Sequence, residues 1–87
     1  MDDQQWLTER FQQHRPHLRA VAYRMLGSLT DADDAVQDAW ERVSRAQPDE
    51  VGNLKAWLTT IVARVCLNLA YRGARAARAA ALAQRPA

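Results

Sequence analysis

The sequence predicts an all-α protein, a small bundle of three amphipathic helices. Three segments carry apolar residues at spacings of three and four, which place those residues on one face of a helix. No segment alternates apolar and polar residues as a half-buried strand does, and no internal repeat is present. The chain has 87 residues, 48% of them hydrophobic. It is therefore long enough for one small domain with a core of its own.

The first predicted helix covers residues 4–26. Its apolar stripe consists of Leu7, Phe11, His14, Leu18, Val21, Ala22 and Met25. Pro16 interrupts this stripe, because proline removes one helix hydrogen bond and clashes with the carbonyl four residues back, that of Gln12. The segment is either one helix kinked near Gln12 or two helices, the second opened by Pro16. The unbroken helical phase favours one helix. Gly27 is suited to end it, since glycine tolerates the left-handed conformation that closes many helices.

The second predicted helix covers residues 31–45. Its apolar face consists of Ala32, Ala35, Val36, Ala39, Trp40 and Val43. Thr30, followed three residues later by Asp33, resembles a capping box and predicts the start of this helix. The outer face carries an acidic stripe formed by Asp34, Gln37, Asp38 and Glu41. A stripe of this kind is ordinarily a solvated surface.

The third predicted helix begins at Leu54. Pro48 and Gly52 mark a loop at 46–53, and Asn53 is suited to cap the helix that follows. The predicted buried face consists of Leu54, Trp57, Leu58, Ile61, Val62, Val65 and Leu69. The other flank carries Thr60, Arg64, Asn68, Tyr71, Arg72 and Arg75. Residues 74–85 are rich in alanine and arginine, which predicts a helical extension or the start of a linker. The large members of the shared core are predicted to be Phe11, Trp40 and Trp57.

Charge is segregated along the chain, although the net charge is only +2. Residues 31–50 contain seven acidic side chains and two arginines, whereas residues 51–87 contain six basic side chains and no acidic one. This pattern predicts two surfaces with different partners, and a polyanion as the partner of the basic one. The sequence has one cysteine, no signal-peptide pattern and no apolar run that could span a membrane. We therefore expect a cytoplasmic protein with neither an internal disulfide nor a membrane partner.

Catalytic chemistry has little support in the sequence. His14 and His17 could share a metal ion, but no third ligand has a suitable spacing, so we expect no metal and no other cofactor. Cys66 is interpreted as a small core residue. The carboxylates lie on an exposed face rather than in a buried acid–base pair, and the glycines are too scattered for a phosphate-binding loop. We expect no enzymatic activity.

The basic flank of the third helix is the better-supported site. Arg64, Arg72 and Arg75 supply charge and planar guanidinium groups that can bind phosphates or bases. Tyr71, which lies between them with Asn68, can stack on an unpaired base. Basic stripes are also common as solvated surfaces, so the pattern alone leaves nucleic-acid binding and a solvated face both open.

Three stretches resemble, in the same order, region 2 of the sigma-70 family of transcription factors. Residues 31–40, with the sequence DADDAVQDAW, resemble the acidic signature of that region. Residues 20–27 resemble the stretch upstream of the signature, and residues 56–64 resemble the stretch downstream. The resemblance covers residues 10–78 and is to the extracytoplasmic-function (ECF) group in particular. A weaker resemblance is to the ECF subgroup with a SnoaL-like C-terminal domain.

The resemblance implies a transcription initiation factor with a region 2 domain at residues 1–75. Residues 76–87 would be a linker or helical tail leading toward region 4, the domain that binds the −35 element, which we expect this sequence to lack. The second helix would dock on the clamp helices of the largest subunit of RNA polymerase. The residues implied in this docking are Asp34, Gln37, Asp38 and Glu41.

The resemblance also implies that the third helix binds promoter DNA. This helix and the loop at 46–53 would bind the non-template strand of the −10 element, hold a flipped base and so help the promoter to open. The residues that the resemblance implies in DNA binding are Asn53, Lys55, Trp57, Thr60, Arg64 and Asn68. The basic flank adds Arg72 and Arg75 to the predicted DNA-binding residues.

Several points stay open. Many ECF factors have Asn at the position of Arg64 and Asp at the position of Asn68, so the −10 sequence is not determined. Trp57 lies on the apolar stripe, where core packing competes with a DNA contact. One alternative is a sigma-like interaction module that binds an anti-sigma or adaptor protein without binding DNA. Another is a peripheral membrane helix in the tail, which the weak amphipathicity of the tail disfavours.

Overall fold

The computed structural model describes residues 3–46 and 52–84 and contains three helices. Helix α1 spans Asp3–Leu26, α2 spans Leu29–Ala46 and α3 spans Leu54–Ala83. Each helix packs against both of the others, and the described residues contain no strand. The predicted three-helix bundle is therefore confirmed. No helix among these residues combines the length and the apolar character needed to cross a membrane.

One core lies between the three helices. Its buried members are Leu7, Phe11, Leu18 and Ala22 of α1, Ala32, Ala35, Val36, Ala39 and Val43 of α2, and Leu58, Val62, Val65 and Cys66 of α3. The fully buried side chains of α2 are all alanine or valine, and such small side chains allow helices to pack closely. Of the three aromatic residues predicted for the core, Phe11 is fully buried. Trp40 and Trp57 are half-buried at its edge, and the Trp40 ring lies 5.0 Å from that of Phe11.

Helix α1 continues through Pro16, which confirms one helix in place of two. The kink near Gln12 stays a prediction. Gly27 ends the helix as predicted: its φ is 72°, and its N–H donates to the carbonyl of Tyr23 at 2.8 Å. Because α2 begins two residues later, this glycine reverses the chain within a very short connection.

The predicted stripe of α1 is wrong at its C-terminal end. Met25 is exposed, with 39% of its surface accessible, and Leu26 packs against the core in its place. The reason is helical phase. Leu18, Ala22 and Leu26 follow one another at steps of four and form one inward row, whereas Met25 is rotated by about 100° from Leu26.

The predicted capping box of α2 is wrong. Ser28 is the cap: its Oγ accepts from the N–H of Asp31 at 3.2 Å, and its carbonyl accepts from the N–H of Ala32 at 2.9 Å. Thr30 lies inside the helix, because α1 ends at Gly27 and leaves Ser28 at the junction. The carboxylate of Asp33 pairs instead with Arg19 of α1, at 2.7 Å.

Helix α3 begins as predicted and extends well beyond the bundle. The side chain of Asn53 accepts from the N–H of Ala56 at 3.0 Å, which is the expected cap. Of the two predictions for the segment after residue 73, the helical extension is confirmed for the part of it that the structure describes, through Ala83. Every residue at 70–84 is exposed, and the molecule measures 63 Å along its length but only 22 and 19 Å across. Most of the predicted loop at 46–53 lies outside the described residues.

Candidate functional site

The acidic stripe of α2 points away from the bundle. Its four positions lie about half a turn from the buried alanines and valines of the same helix. Asp34, Gln37 and Glu41 are exposed, while Asp38 is half-buried and pairs with Arg42 at 3.5 Å. Within the residues that the structure describes, no ion pair joins this stripe to α1 or α3. Asp34 and Glu41 therefore present negative charge that no ion pair in the described residues compensates, on a helix whose position is set by its buried face.

The basic stripe of α3 also points outward. We use this name for Thr60, Arg64, Asn68, Tyr71 and Arg75, which follow one another at steps of three or four and so share one face. All five are exposed. The guanidinium of Arg75 lies 5.8 Å from the ring centroid of Tyr71, a cation–π contact within the stripe. No carboxylate in the described part of the chain pairs with Arg64 or Arg75, so both guanidinium groups are open to a ligand.

Trp57 lies beside the basic stripe. It is half-buried against the core and stands three and seven residues before Thr60 and Arg64, on the same side of the helix. Core packing is therefore confirmed as one role of the indole, and its accessible part adjoins the predicted DNA-binding residues. A DNA contact by Trp57 stays a prediction.

The other predicted DNA-binding residues lie in different places. The side chain of Asn53 is engaged in capping α3. Lys55 is exposed but lies one turn before Thr59, whose hydroxyl contacts Nε2 of His17 on α1 at 3.1 Å. Lys55 is thus on the flank of α3 that faces α1, away from Arg64. Arg72 is exposed where α3 leaves the bundle.

A groove opens where α1 and α2 join and α3 leaves the bundle, and we call it the end groove. Its volume is about 360 Å³, and it is lined by Met25, Leu26, Asp31, Asp34, Leu69, Ala70 and Gly73. Asp34 belongs both to this groove and to the acidic stripe, so the acidic surface reaches α3 at this end of the bundle. Sequence reasoning missed the end groove because its residues come from three helices and share no spacing.

His17 and Cys66 each have a structural setting. The Thr59 hydroxyl donates its one proton to the carbonyl of Lys55 at 2.7 Å, so it accepts from the Nε2–H of His17. No three metal-binding side chains cluster within residues 3–46 and 52–84. Cys66 is buried in the core as predicted, and burial raises the pKa of its thiol.

The fold is a small three-helix domain with an acidic stripe on α2 and a basic stripe on α3. The family model of Sigma-70 region 2 matches residues 10–77. The chain therefore belongs to the Sigma-70 region 2 family.

Similar proteins occur in Mycobacterium tuberculosis. The ECF RNA polymerase sigma factor SigJ of strain ATCC 25618 / H37Rv is 48% identical over 59 residues, which are 67% of this chain and 18% of that protein. The probable ECF RNA polymerase sigma factor SigI of strain CDC 1551 / Oshkosh is 36% identical over 55 residues, 63% of this chain and 19% of that protein. The ECF RNA polymerase sigma factor SigG of the same strain is 41% identical over 56 residues, which are 62% of this chain and 15% of that protein. The chain spans less than a fifth of each of these curated relatives. No solved structure matches it significantly.

Proposed function

We propose that this domain docks on the RNA polymerase core, recognises the promoter −10 element and helps to open it. The observation that carries the proposal is the outward placement of an acidic and a basic stripe on one bundle, in a chain that matches Sigma-70 region 2. The relatives' names, ECF RNA polymerase sigma factors, support the same function. A domain with these partners acts in the cytoplasm and is not an enzyme.

The acidic stripe of α2 is the polymerase-binding surface in this proposal. Asp34, Gln37, Asp38 and Glu41 meet basic residues of the clamp helices of the largest subunit. Complementary charge accelerates encounter and fixes the register of the two partners. Because α2 is held in the bundle by alanine and valine side chains on its other face, the stripe needs no rearrangement before it binds.

The basic stripe, together with Trp57, is the surface for the non-template strand. Extruding a base from the duplex costs a few kcal/mol. Each base stacked on an aromatic ring returns roughly 1–3 kcal/mol. The guanidinium groups of Arg64, Arg72 and Arg75 add phosphate contacts. A domain that binds the unpaired strand more tightly than the duplex shifts the equilibrium toward melted promoter without ATP.

Charge reversal on α2 tests the docking surface. We expect Asp34→Lys to weaken binding of the 87-residue chain to RNA polymerase core at least tenfold, about 1.4 kcal/mol. The double variant Asp34→Lys/Asp38→Lys should abolish binding. The matched control is Glu9→Lys, the same charge change on an exposed residue of α1. Helicity by circular dichroism should stay constant in all three. Core affinity unchanged by the double variant would contradict the docking role.

Removal of one guanidinium tests the DNA surface. Arg64→Ala should weaken binding to short single-stranded −10 oligonucleotides, measured by fluorescence anisotropy with and without polymerase core over a series of salt concentrations. Loss of one phosphate contact should reduce the slope of log affinity against log salt by about 0.7. Differences between oligonucleotides report base readout. Arg24→Ala, an exposed arginine on α1, is the control.

If Arg64→Ala leaves both affinity and salt slope unaltered, Arg64 is not part of the site. The interaction-module alternative gives a different result. It predicts affinity for an anti-sigma or adaptor protein and none for DNA, even with polymerase core present.

A further inference from the structure

We propose that the end groove is the apolar half of the polymerase-docking surface. It receives an apolar side chain of the same cationic helix that the acidic stripe binds. This inference rests on the proposed function and names the chemistry of the partner: a helix with lysine or arginine on one face and a large apolar residue next to them.

The walls of the end groove are mainly apolar. Met25, Leu26, Leu69 and Ala70 contribute carbon surface, and Met25 is left 39% exposed. Single exposed apolar residues are normal on a protein surface. Here they are gathered in a concave space of about 360 Å³, which is within the range of ligand-sized pockets. A concave apolar surface with a charged rim is typical of an interaction site.

The charge of the rim selects the occupant. The two charged residues that line the groove, Asp31 and Asp34, are both acidic. Neither forms an ion pair within the described parts of the chain. A phosphate backbone would be repelled here, even though the groove borders the helix that carries the basic stripe. A cationic protein segment would be attracted, so the groove belongs with the acidic stripe of α2 and not with the DNA surface of α3.

The end groove is continuous with the acidic stripe, so one partner helix can occupy both. Asp34 lines the groove and is the first residue of the acidic stripe, which ends at Glu41. The stripe is about 10 Å long at 1.5 Å per residue. A partner helix of three or four turns that lies along it extends past Asp34 and reaches the groove. Its cationic residues then meet the stripe while an apolar residue one turn further on enters the groove.

Gly73 keeps the α3 side of the groove open. A methyl group added at Gly73 would meet no atom within 4 Å, so this position has open space around it. The next residues on α3 that face the same way, Ala77 and Ala80, have side chains. Glycine weakens a helix relative to alanine. The structure thus offers a position where bulk can be added to fill the groove without changing its charge.

The test is Gly73→Leu, with binding of the labelled 87-residue chain to RNA polymerase core as the readout. We expect at least a tenfold loss of affinity. Gly73→Ala, which adds little bulk, and Ala80→Leu, which adds a leucine two turns beyond the groove, should each stay within twofold of the original chain. Met25→Ala, which removes an apolar wall without adding bulk, should weaken binding about threefold. It also keeps the test valid if Gly73→Leu loses helicity.

The outcomes separate this inference from the proposed function. If Asp38→Lys weakens core binding but Gly73→Leu and Met25→Ala do not, the groove is not part of the interface and the docking role of the stripe stands. If none of the three affects core binding, the docking role fails together with the inference. If Gly73→Leu weakens binding of −10 oligonucleotides and leaves core binding intact, the groove belongs to the DNA surface and the inference is overturned.

Discussion

The two halves of α3 belong to one helix, but only the first half packs against the core of the bundle. Residues 54–69 cover the core and bury Leu58, Val62, Val65 and Cys66 completely. Every residue at 70–84 is exposed, and none of them belongs to the buried core. The first half is helical because burial of its apolar face against α1 and α2 stabilises it, whereas the second half depends on the helix propensity of alanine.

This contrast bears on what each half would contribute to the proposed DNA binding. Contacts to a base require side chains held within a narrow range of positions, which packing provides. Trp57, Thr60 and Arg64 are on the packed half and suit that role. Phosphate contacts position a protein on nucleic acid without reading sequence. Arg72, Arg75 and Arg78, on the projecting half, suit that second role.

The largest effect should come from shortening a leucine in each half. Leu58 is fully buried, so Leu58→Ala should lower the free energy of unfolding by about 2–5 kcal/mol. Leu82 is 56% exposed, so Leu82→Ala should change it by less than about 0.5 kcal/mol. Urea denaturation followed by circular dichroism measures both. Equal losses would mean that the projecting half packs on the bundle in solution.

A smaller difference between the two halves should appear in the reactivity of a thiol placed in each. Cysteine reacts as the thiolate, and burial both shields Cys66 and raises the pKa of its thiol. Alkylation of Cys66 at pH 8 should be at least tenfold slower in the folded protein than in urea. In the variant Ala74→Cys, the new thiol on the projecting half should react at the rate of an unfolded peptide. Two thiols that react equally fast would contradict the burial of Cys66.

The same pKa shift predicts the sign of a pH dependence. The pKa of the Cys66 thiol is higher in the folded than in the unfolded chain, so the protonated thiol contributes to stability. That contribution is complete at pH values below the ordinary thiol pKa of 9.0. This contribution is lost as the pH rises through the pKa of the folded state, because the unfolded chain releases its proton first. The free energy of unfolding of Cys66→Ala, measured by urea denaturation at several alkaline pH values, should therefore fall less steeply with pH than that of the original chain.

The smallest effect should come from Ala77→Gly in the projecting half. Glycine costs about 1 kcal/mol relative to alanine inside a helix. Since the residues around position 77 are all exposed, the cost should appear as local fraying and not in the unfolding of the bundle. Circular dichroism should show fewer helical residues at an unchanged urea midpoint. A shifted midpoint would show that the two halves of α3 unfold as one unit.

Much of the fold could be predicted from local sequence patterns, where a pattern is compatible with only one local structure. Asn53 capped its helix as predicted, since it stands between a break in the pattern and the first apolar residue of α3. The sequence does not single out Ser28 as the cap of α2, because Ser28 and Thr30 are both good caps and the choice between them depends on where α1 ends. The sequence predicts Met25 to point inward because spacings of three and four are equivalent in a short stripe. Only the neighbouring helices select which row of residues is buried.

Apolar periodicity by itself determined the three helices and which faces of them point to solvent, because an amphipathic helix has one rotation that buries its apolar side. The outward placement of the acidic and basic stripes is a direct consequence of that rotation. Only the tertiary structure decided which residues meet at the ends of these faces. The shared groove at Asp34, Leu69 and Gly73 depends on how three helices are tilted and ordered in space, and no spacing along the chain encodes that arrangement.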